Sequence, residues 1–271
     1  MQQWLRPQWP EIAGVQALFT TRWGGVSQAP CDTMNLGDHV HDKPEHVVSN
    51  RALLTHVLQD LSGQPTKPVF MKQVHGCMVQ DLHPNSEDGL PFDACVTEQT
   101  GVVCTVMVAD CLPVLFAHRS GQVVAAAHAG WRGLAGVHGH GVLEATWQSY
   151  ASKLGVMADE HLAQHTQVWL GPCIGPQAFE VGDEVRQAFV DVLPDAGACF
   201  TASHCNTAKW MANLSLLARQ RLARMGIQAI YGNNGSNDWC TFTQQSQFFS
   251  HRRDAARSGT TGRMAACIWK V

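Results

Sequence analysis

Between residues 68 and 128 the chain offers six short runs of apolar and β-branched residues, at 68–75, 77–82, 93–97, 101–109, 112–118 and 122–128. Most of the gaps between them are too short for a crossover helix, so the strands must pair largely antiparallel, alongside any parallel neighbours. Outside this block the pattern changes. VQALFTT from Val15 alternates like a strand, whereas from Pro44 to Leu61 the apolar positions Val47, Leu54, Leu58 and Leu61 recur at helical spacing, and Pro44 suits a first turn. A helix of about 20 residues is expected from about Gly133 to Leu154, closed by Gly155. Further helices are expected near 182–193 and 209–225, with strands at 227–231 and from Arg263 to Lys270. The spacings predict an α+β fold in which mixed, largely antiparallel sheets pack against helices.

With 271 residues and 45% apolar content, and no repeat, linker or low-complexity segment, the expectation is a single domain spanning 1–271. A net charge of -3, with both signs mixed along the sequence, leaves no footprint for nucleic acid and favours a small-molecule substrate. No run of eighteen apolar residues exists, and MQQWLRPQWPE lacks the regions of a signal peptide, so a cytoplasmic protein without a membrane partner is expected, as a monomer. Ten cysteines without a CxxC pair exclude a zinc ribbon and point to free thiols in a reducing compartment.

Three residues stand at the tips of the strand-like runs: His75 in QVHG, Cys111 in ADCLP and His128 in HAGWRG. Two imidazoles and a thiolate make a zinc site with one position left for water or substrate. LPVLFAHR and QVVAAAH flank Ser120-Gly121, a plausible turn. Either two-residue loop, Arg119-Ser120 or Ser120-Gly121, sets Cys111 or Pro113 opposite His128 and leaves Cys111 and His128 on one face, with Cβ atoms roughly 5 to 8 Å apart. A three-residue loop would separate them, and only the fold can bring His75 in. From the residues alone, a buried apolar thiol and packed core histidines account for the same pattern and are commoner. Cys111 activated by His128 would instead be a nucleophile pair, a role that competes with metal for the same sulfur.

Around the triad, the polar Gly-rich loops TRWGGVS and MNLG can present Arg22 and Asn35 to a ligand. Gly130, Gly133 and Gly136 crowd the expected helix start, where backbone N–H groups can accept an anion and Arg132 can clamp phosphate; close helix packing explains the same glycines equally well. Asp110 can orient a ligand histidine only if the strand breaks beside it. Two rival motifs fail on spacing. No H-x-E and no P-C-x-x-C exist for a nucleobase deaminase, and His39-Val-His41 and His138-Gly-His140, without His-Cys-His, do not make a blue-copper oxidase.

QVHG at 73–76, DACVT at 93–97, ADCLP at 109–113, HAGWRG at 128–133, GPCIGP at 171–176 and FFSHRRD at 248–254, in this order across nearly the whole chain, resemble the YfiH-type laccase-domain family. The resemblance implies an α+β fold related to the catalytic domain of the cytotoxic necrotising factor toxins. It implies zinc held by His75, Cys111 and His128, which also serve as the catalytic residues, and purine nucleoside chemistry: phosphorolysis of adenosine, inosine, guanosine and methylthioadenosine, and deamination of adenosine. Arg132, Arg22, Asn35 and Gln73 are the expected substrate residues. Older family labels imply copper-dependent polyphenol oxidase (laccase) activity or peptidoglycan editing by a Cys/His amidase; a nucleoside- or metal-binding module without catalysis is the remaining alternative. Three departures stand out: Cys95 occupies an aliphatic position of DACVT; Asn213 replaces an Asp, so no ionised carboxylate acts there; and AARSGTTGR is longer than the usual link from the RRD segment to the final GR, so Arg263 is not carried over as a site residue.

Overall fold

The computed structural model of the chain describes residues 4–203, 206 and 208–271. In chain order the elements are β1 (Val15–Phe19), α1 (Pro44–Ser62), β2 (Lys67–Phe70), β3 (Val79–Asp81), β4 (Ala94–Thr97), β5 (Val102–Val108), β6 (Leu112–His118) and β7 (Val124–Ala129). There follow α2 (Trp131–Ala135), α3 (Val142–Lys153), α4 (Glu160–Gln164), β8 (Thr166–Leu170), β9 (Glu180–Gly182), α5 (Asp183–Val190), β10 (Phe200–Ala202) and β11 (Lys209–Ala212). The chain closes with α6 (Leu214–Arg224), β12 (Ile230–Gly232), α7 (His251–Ser258) and β13 (Met264–Lys270).

Two large sheets carry the fold, one ordered β12-β8-β6-β7-β4-β3 and one ordered β1-β13-β5-β2, with a small sheet β10-β11-β9 beside them. The pairings are antiparallel except β3 with β4, β2 with β5 and β12 with β8, so the α+β, mostly antiparallel expectation holds. Residue alternation sorts the strands into layers. Val102, Cys104, Val106 and Val108 of β5 meet Leu115 and Ala117 of β6 and Val124 and Ala126 of β7 between the sheets. Their neighbours face outward. Val114, Phe116, Ala125 and Ala127 are covered by Leu143, Trp147 and Tyr150 of α3 and by α5 and α6. On the other side Val103, Met107, Cys267 and Trp269 pack under α1 through Leu54 and Leu58. Pro44 opens α1, and Gly63 closes it in the left-handed region (φ 66°), its N–H donated to the carbonyl of Gln59. Leu54 and Leu58 are fully buried, so truncating either to Ala costs about 2–5 kcal/mol.

Four expectations change. The helix expected over 133–154 is two helices, α2 and α3, because Gly136 and Gly139 adopt positive φ (65° and 79°) and a Cβ at Gly136 would meet the carbonyl oxygen of His140 at 2.1 Å. The first four residues of the helix expected over 209–225 form strand β11 instead, and Asn213 caps the true helix by accepting the N–H of Leu216. The strand expected over 68–75 ends at Phe70, so His75 lies in a loop at φ 60°. The β6–β7 loop covers Arg119–Gln122 rather than two residues, with the N–H of Gly121 donated to the carbonyl of His118. An even loop length keeps the parity, and Pro113 stands opposite His128 as one of the two expected registers requires.

Candidate metal centre

His128 occupies β7 in the same alternation as Val124 and Ala126 and so points to the layer between the sheets. Cys111 immediately precedes β6, in the link from one sheet to the other, and Asp110 beside it takes φ 91°, the strand break on which its role depends. His75 comes from the loop after β2. The three meet: the Cys111 sulfur is 3.7 Å from His75 Nε2, the His75 and His128 rings are 4.8 Å apart and nearly perpendicular, and the candidate ligand atoms lie within 4.8 Å of one another. A sulfur and an imidazole nitrogen on one tetrahedral zinc stand about 3.6 Å apart, so the donor set fits that ion. Gly130 preserves the space, since a Cβ there would meet His75 Cδ2 at 2.8 Å and the Cys111 sulfur at 3.0 Å. Among the described residues this is the one cluster of its kind.

Asp93 builds the centre, and its role was not visible in the sequence beyond its place in DACVT. Fully buried, it accepts the N–H groups of Val74 (3.2 Å), His75 (2.9 Å) and Gly76 (2.7 Å), which fixes the loop carrying His75. It also accepts a hydrogen bond from His128 Nδ1 at 2.9 Å, which turns Nε2 of that ring toward the centre. The backbone locks in turn, for the carbonyl of Asp93 accepts the N–H of His128 at 2.7 Å. Burial alone would push the Asp93 carboxyl up, but the His128 bond and charge and the loop N–H groups hold it below the usual range.

Burial likewise pushes the Cys111 thiol up, but the charge of His128 and hydrogen bonds from both imidazoles outweigh it and bring the thiol to about 6. For His128 burial pulls down, while the Cys111 charge and Asp93 raise it to about 9. At neutral pH the metal-free pair is therefore thiolate and imidazolium. Cys31, Cys199 and Cys267 go the other way, pushed by burial to about 11, 11 and 12. Among the described residues, only at Cys111 does a resolved shift favour the thiolate, the form a metal or an electrophile requires.

The triad lines a cavity of about 450 Å³, with Trp131, Phe179, Ile174 and Leu214 as apolar wall and Arg132, Arg252 and Arg263 as cationic groups. Gln73 reaches the wall, yet its amide is spent on the N–H and carbonyl of Met107, both at 2.7 Å. Arg132 lines the cavity, stacked on the Trp131 ring at 4.5 Å. Arg22 and Asn35 are not among the lining residues. Arg22 ties Asp32 and the carbonyl of Gln245 and packs on Phe249, and the buried Asn35 bonds Gly37, Asp42 and the N–H of Arg263. Asp110 does not orient a ligand histidine: its oxygens accept the Thr241 hydroxyl and the N–H of Arg252, both at 2.6 Å. Sequence reasoning missed the cavity residues His39, His251 and Arg252, although FFSHRRD flagged the segment holding two of them, and it set Arg263 aside on the length of AARSGTTGR, yet Arg263 lines the cavity.

A sequence model of the multi-copper polyphenol oxidoreductase laccases matches residues 16–271, and the chain belongs to this laccase-domain family, of the YfiH type. A Pseudomonas aeruginosa protein named purine nucleoside phosphorylase is 48% identical over 99% of both chains. The Escherichia coli purine nucleoside phosphorylase YfiH is 45% identical over the whole of both. Among solved structures, a Neisseria meningitidis protein of family DUF152 superposes with a TM-score of 0.82 at 40% identity, covering 98% of each chain. YlmD from Geobacillus stearothermophilus superposes at 0.80 with 31% identity, over 98% of this chain and 96% of the other. No described helix is long and apolar enough to cross a membrane.

Proposed function

We propose that this chain is a zinc-dependent purine nucleoside phosphorylase that uses inorganic phosphate to cleave adenosine, inosine, guanosine and methylthioadenosine, and that deaminates adenosine at the same centre. The observation that carries the reading is the meeting of His75, Cys111 and His128 at the wall of a cavity large enough for a nucleoside and lined by arginines; the names of the full-length relatives agree with it. When bound, zinc supplies a Lewis acid with one position open to substrate. The chain's own residues do the rest. Trp131 and Phe179 offer flat apolar surface to a purine, and the arginines hold phosphate against the ribose carbon that develops oxocarbenium character. Free thiols among the described residues suit a cytoplasmic setting.

One observation favours a second reading. A Cys111 thiolate beside His128 is a nucleophile pair, as an amidase-type hydrolase editing cell-wall precursors on a toxin-like fold requires. A multi-copper oxidase finds less support, because the described residues supply one ligand cluster rather than several. A product screen on a nucleoside panel with and without phosphate, using protein of known metal content, tests the proposal. Phosphate-dependent release of free base that chelation abolishes is expected; a Cys111→Ala variant with full phosphorolysis and full zinc content refutes it. Activity that survives chelation selects the hydrolase, and binding of inosine without turnover a non-catalytic module.

A further inference from the structure

Arg263 is a guanidinium without a described carboxylate at ion-pair distance, and the charges of Cys111 and Asp110 act on it only from farther off. Of the other sheltered arginines, Arg22 has Asp32, Arg51 has Asp38, Arg221 has Glu144, Arg253 has Asp254 and Arg219 is spent on the carbonyls of Ile230, Gly232 and Asn233, while Arg186 lies over the Trp210 ring and does not line the cavity. Arg263 is half-buried on the cavity wall, and no described carboxylate lies within ion-pair distance of it. Its Nη1 donates to the carbonyls of Thr261 (2.8 Å) and Gly262 (3.2 Å), which fixes the plane of the group and leaves Nε and Nη2 without a protein acceptor among the described residues. Sheltering a charge this way is costly unless an anion completes it.

The surroundings are built for the same purpose. The N–H of Arg263 is anchored on Asn35 Oδ1 at 2.9 Å. Gly37 makes room for its stem: a Cβ there would meet Arg263 Cγ at 2.8 Å and His39 Cε1 at 3.4 Å, so Arg263 and His39 flank this glycine together. His251, at the start of α7, lines the same cavity. Burial and then the Arg263 charge hold both imidazoles below their usual range, so near pH 7 each is a neutral ring with one N–H; His39 spends its own on Asp38, whereas no described residue accepts from His251. The nearby carboxylates are engaged, Asp110 by Thr241 and Arg252, and Asp38 by Arg51 and His39.

The rival cations are less suited. Arg132 is exposed and stacked on Trp131, and the five-residue α2 is too short to add a helix-terminal site. Arg252 is turned to the carbonyl of Glu180 and the Phe179 ring. We infer that Arg263, with His251 beside it, forms the oxyanion subsite of the cavity and receives inorganic phosphate. Naming phosphate as that anion rests on the phosphorylase reading; the subsite itself does not.

Calorimetric titration of zinc-loaded, full-length protein with inorganic phosphate tests the subsite, and initial rates with inosine at varied phosphate test its use. Loss of charge-assisted bonds predicts that Arg263→Gln weakens phosphate about tenfold or more, with inosine binding and zinc content unchanged, and that Arg263→Lys recovers part of the loss. His251→Gln, which spares the fold should Arg263→Gln not, weakens phosphate severalfold. Wild-type phosphate affinity in Arg263→Gln, or in His251→Gln, overturns the inference, as does a loss confined to Arg132→Gln. Saturable phosphate binding that needs Arg263, without phosphorolysis, keeps the subsite and removes the phosphorylase reading. Phosphorolysis with unchanged phosphate dependence in Arg263→Gln does the reverse.

Discussion

Replacing Asp93 by Asn changes one atom and leaves the volume of a fully buried side chain intact, so the consequences are those of hydrogen bonding and charge. Each carboxylate oxygen accepts two N–H groups: Oδ1 those of His75 and His128 Nδ1, Oδ2 those of Val74 and Gly76. An amide keeps one oxygen and turns NH₂ against the other pair, so two buried donors lose their acceptor whichever way it sits. At about 1–3 kcal/mol for each orphaned donor the variant should lose about 2–6 kcal/mol, a large share of a typical 5–15 kcal/mol domain stability. Zinc affinity should fall about tenfold to hundredfold, because the His75 loop and the His128 ring lose their common brace. Urea unfolding of metal-free protein and zinc competition with a chromophoric chelator measure the two effects. The pH dependence supplies a third. The Asp93 carboxyl is held below its usual value in the fold, so its stabilisation is present above the unfolded pKa of about 3.9 and is lost as pH falls through the folded one. The acid limb of the stability curve should therefore flatten in Asp93→Asn. An unchanged urea midpoint with wild-type zinc affinity would refute the reasoning.

Three other substitutions or treatments separate roles that geometry distinguishes. Cys111 in metal-free protein should react with iodoacetamide with a half-maximal rate near pH 6, its thiolate persisting down to that pH because its pKa is lowered, and zinc should protect it; a midpoint near 9, read by mass spectrometry of the labelled peptide, contradicts the assignment. Gly130→Ala drives a methyl group into His75 and Cys111 and should cut zinc content well below one per chain while far-ultraviolet dichroism stays native. Arg22→Ala should lower the melting temperature by several degrees for the roughly 1–3 kcal/mol its hydrogen bonds supply, yet leave nucleoside affinity unchanged if its role is to hold the Asp32 loop.

What the sequence makes legible here is what depends on period and parity. The crowded apolar runs define most strands of both large sheets, and the pairing of Cys111 with His128 survives a longer loop because four residues, like two, preserve the face. What it hides depends on single backbone torsions and on distant partners. Gly136 and Gly139 break the helix that the apolar spacing from Gly133 onward predicts, since positive φ ends a helix whatever its periodicity. His75 and Asp110 sit at positive φ without being glycine, so no composition signal marks either turn. Lys209–Ala212 takes strand form through pairing with Glu180–Gly182, about thirty residues earlier, where tertiary contact overrides local preference. Asp93, Arg263 and His251 acquire their roles from neighbours far along the chain. Arg22 and Asn35 attract attention by residue type, but their polar groups turn inward to their own loops.

Cys111 lies on the link between β5 and β6, which belong to different sheets, while His128 stands on one sheet and His75 follows the edge strand of the other. Three ligands anchored on two slabs make the centre a gauge of their alignment. A slip of one slab along the other by a single residue, about 3.3 Å, exceeds any metal–ligand bond length in the set and would tear the coordination apart. Ion release should thus report shear between the layers well before either sheet unravels, and metal occupancy should clamp the sandwich at that end against mechanical sliding.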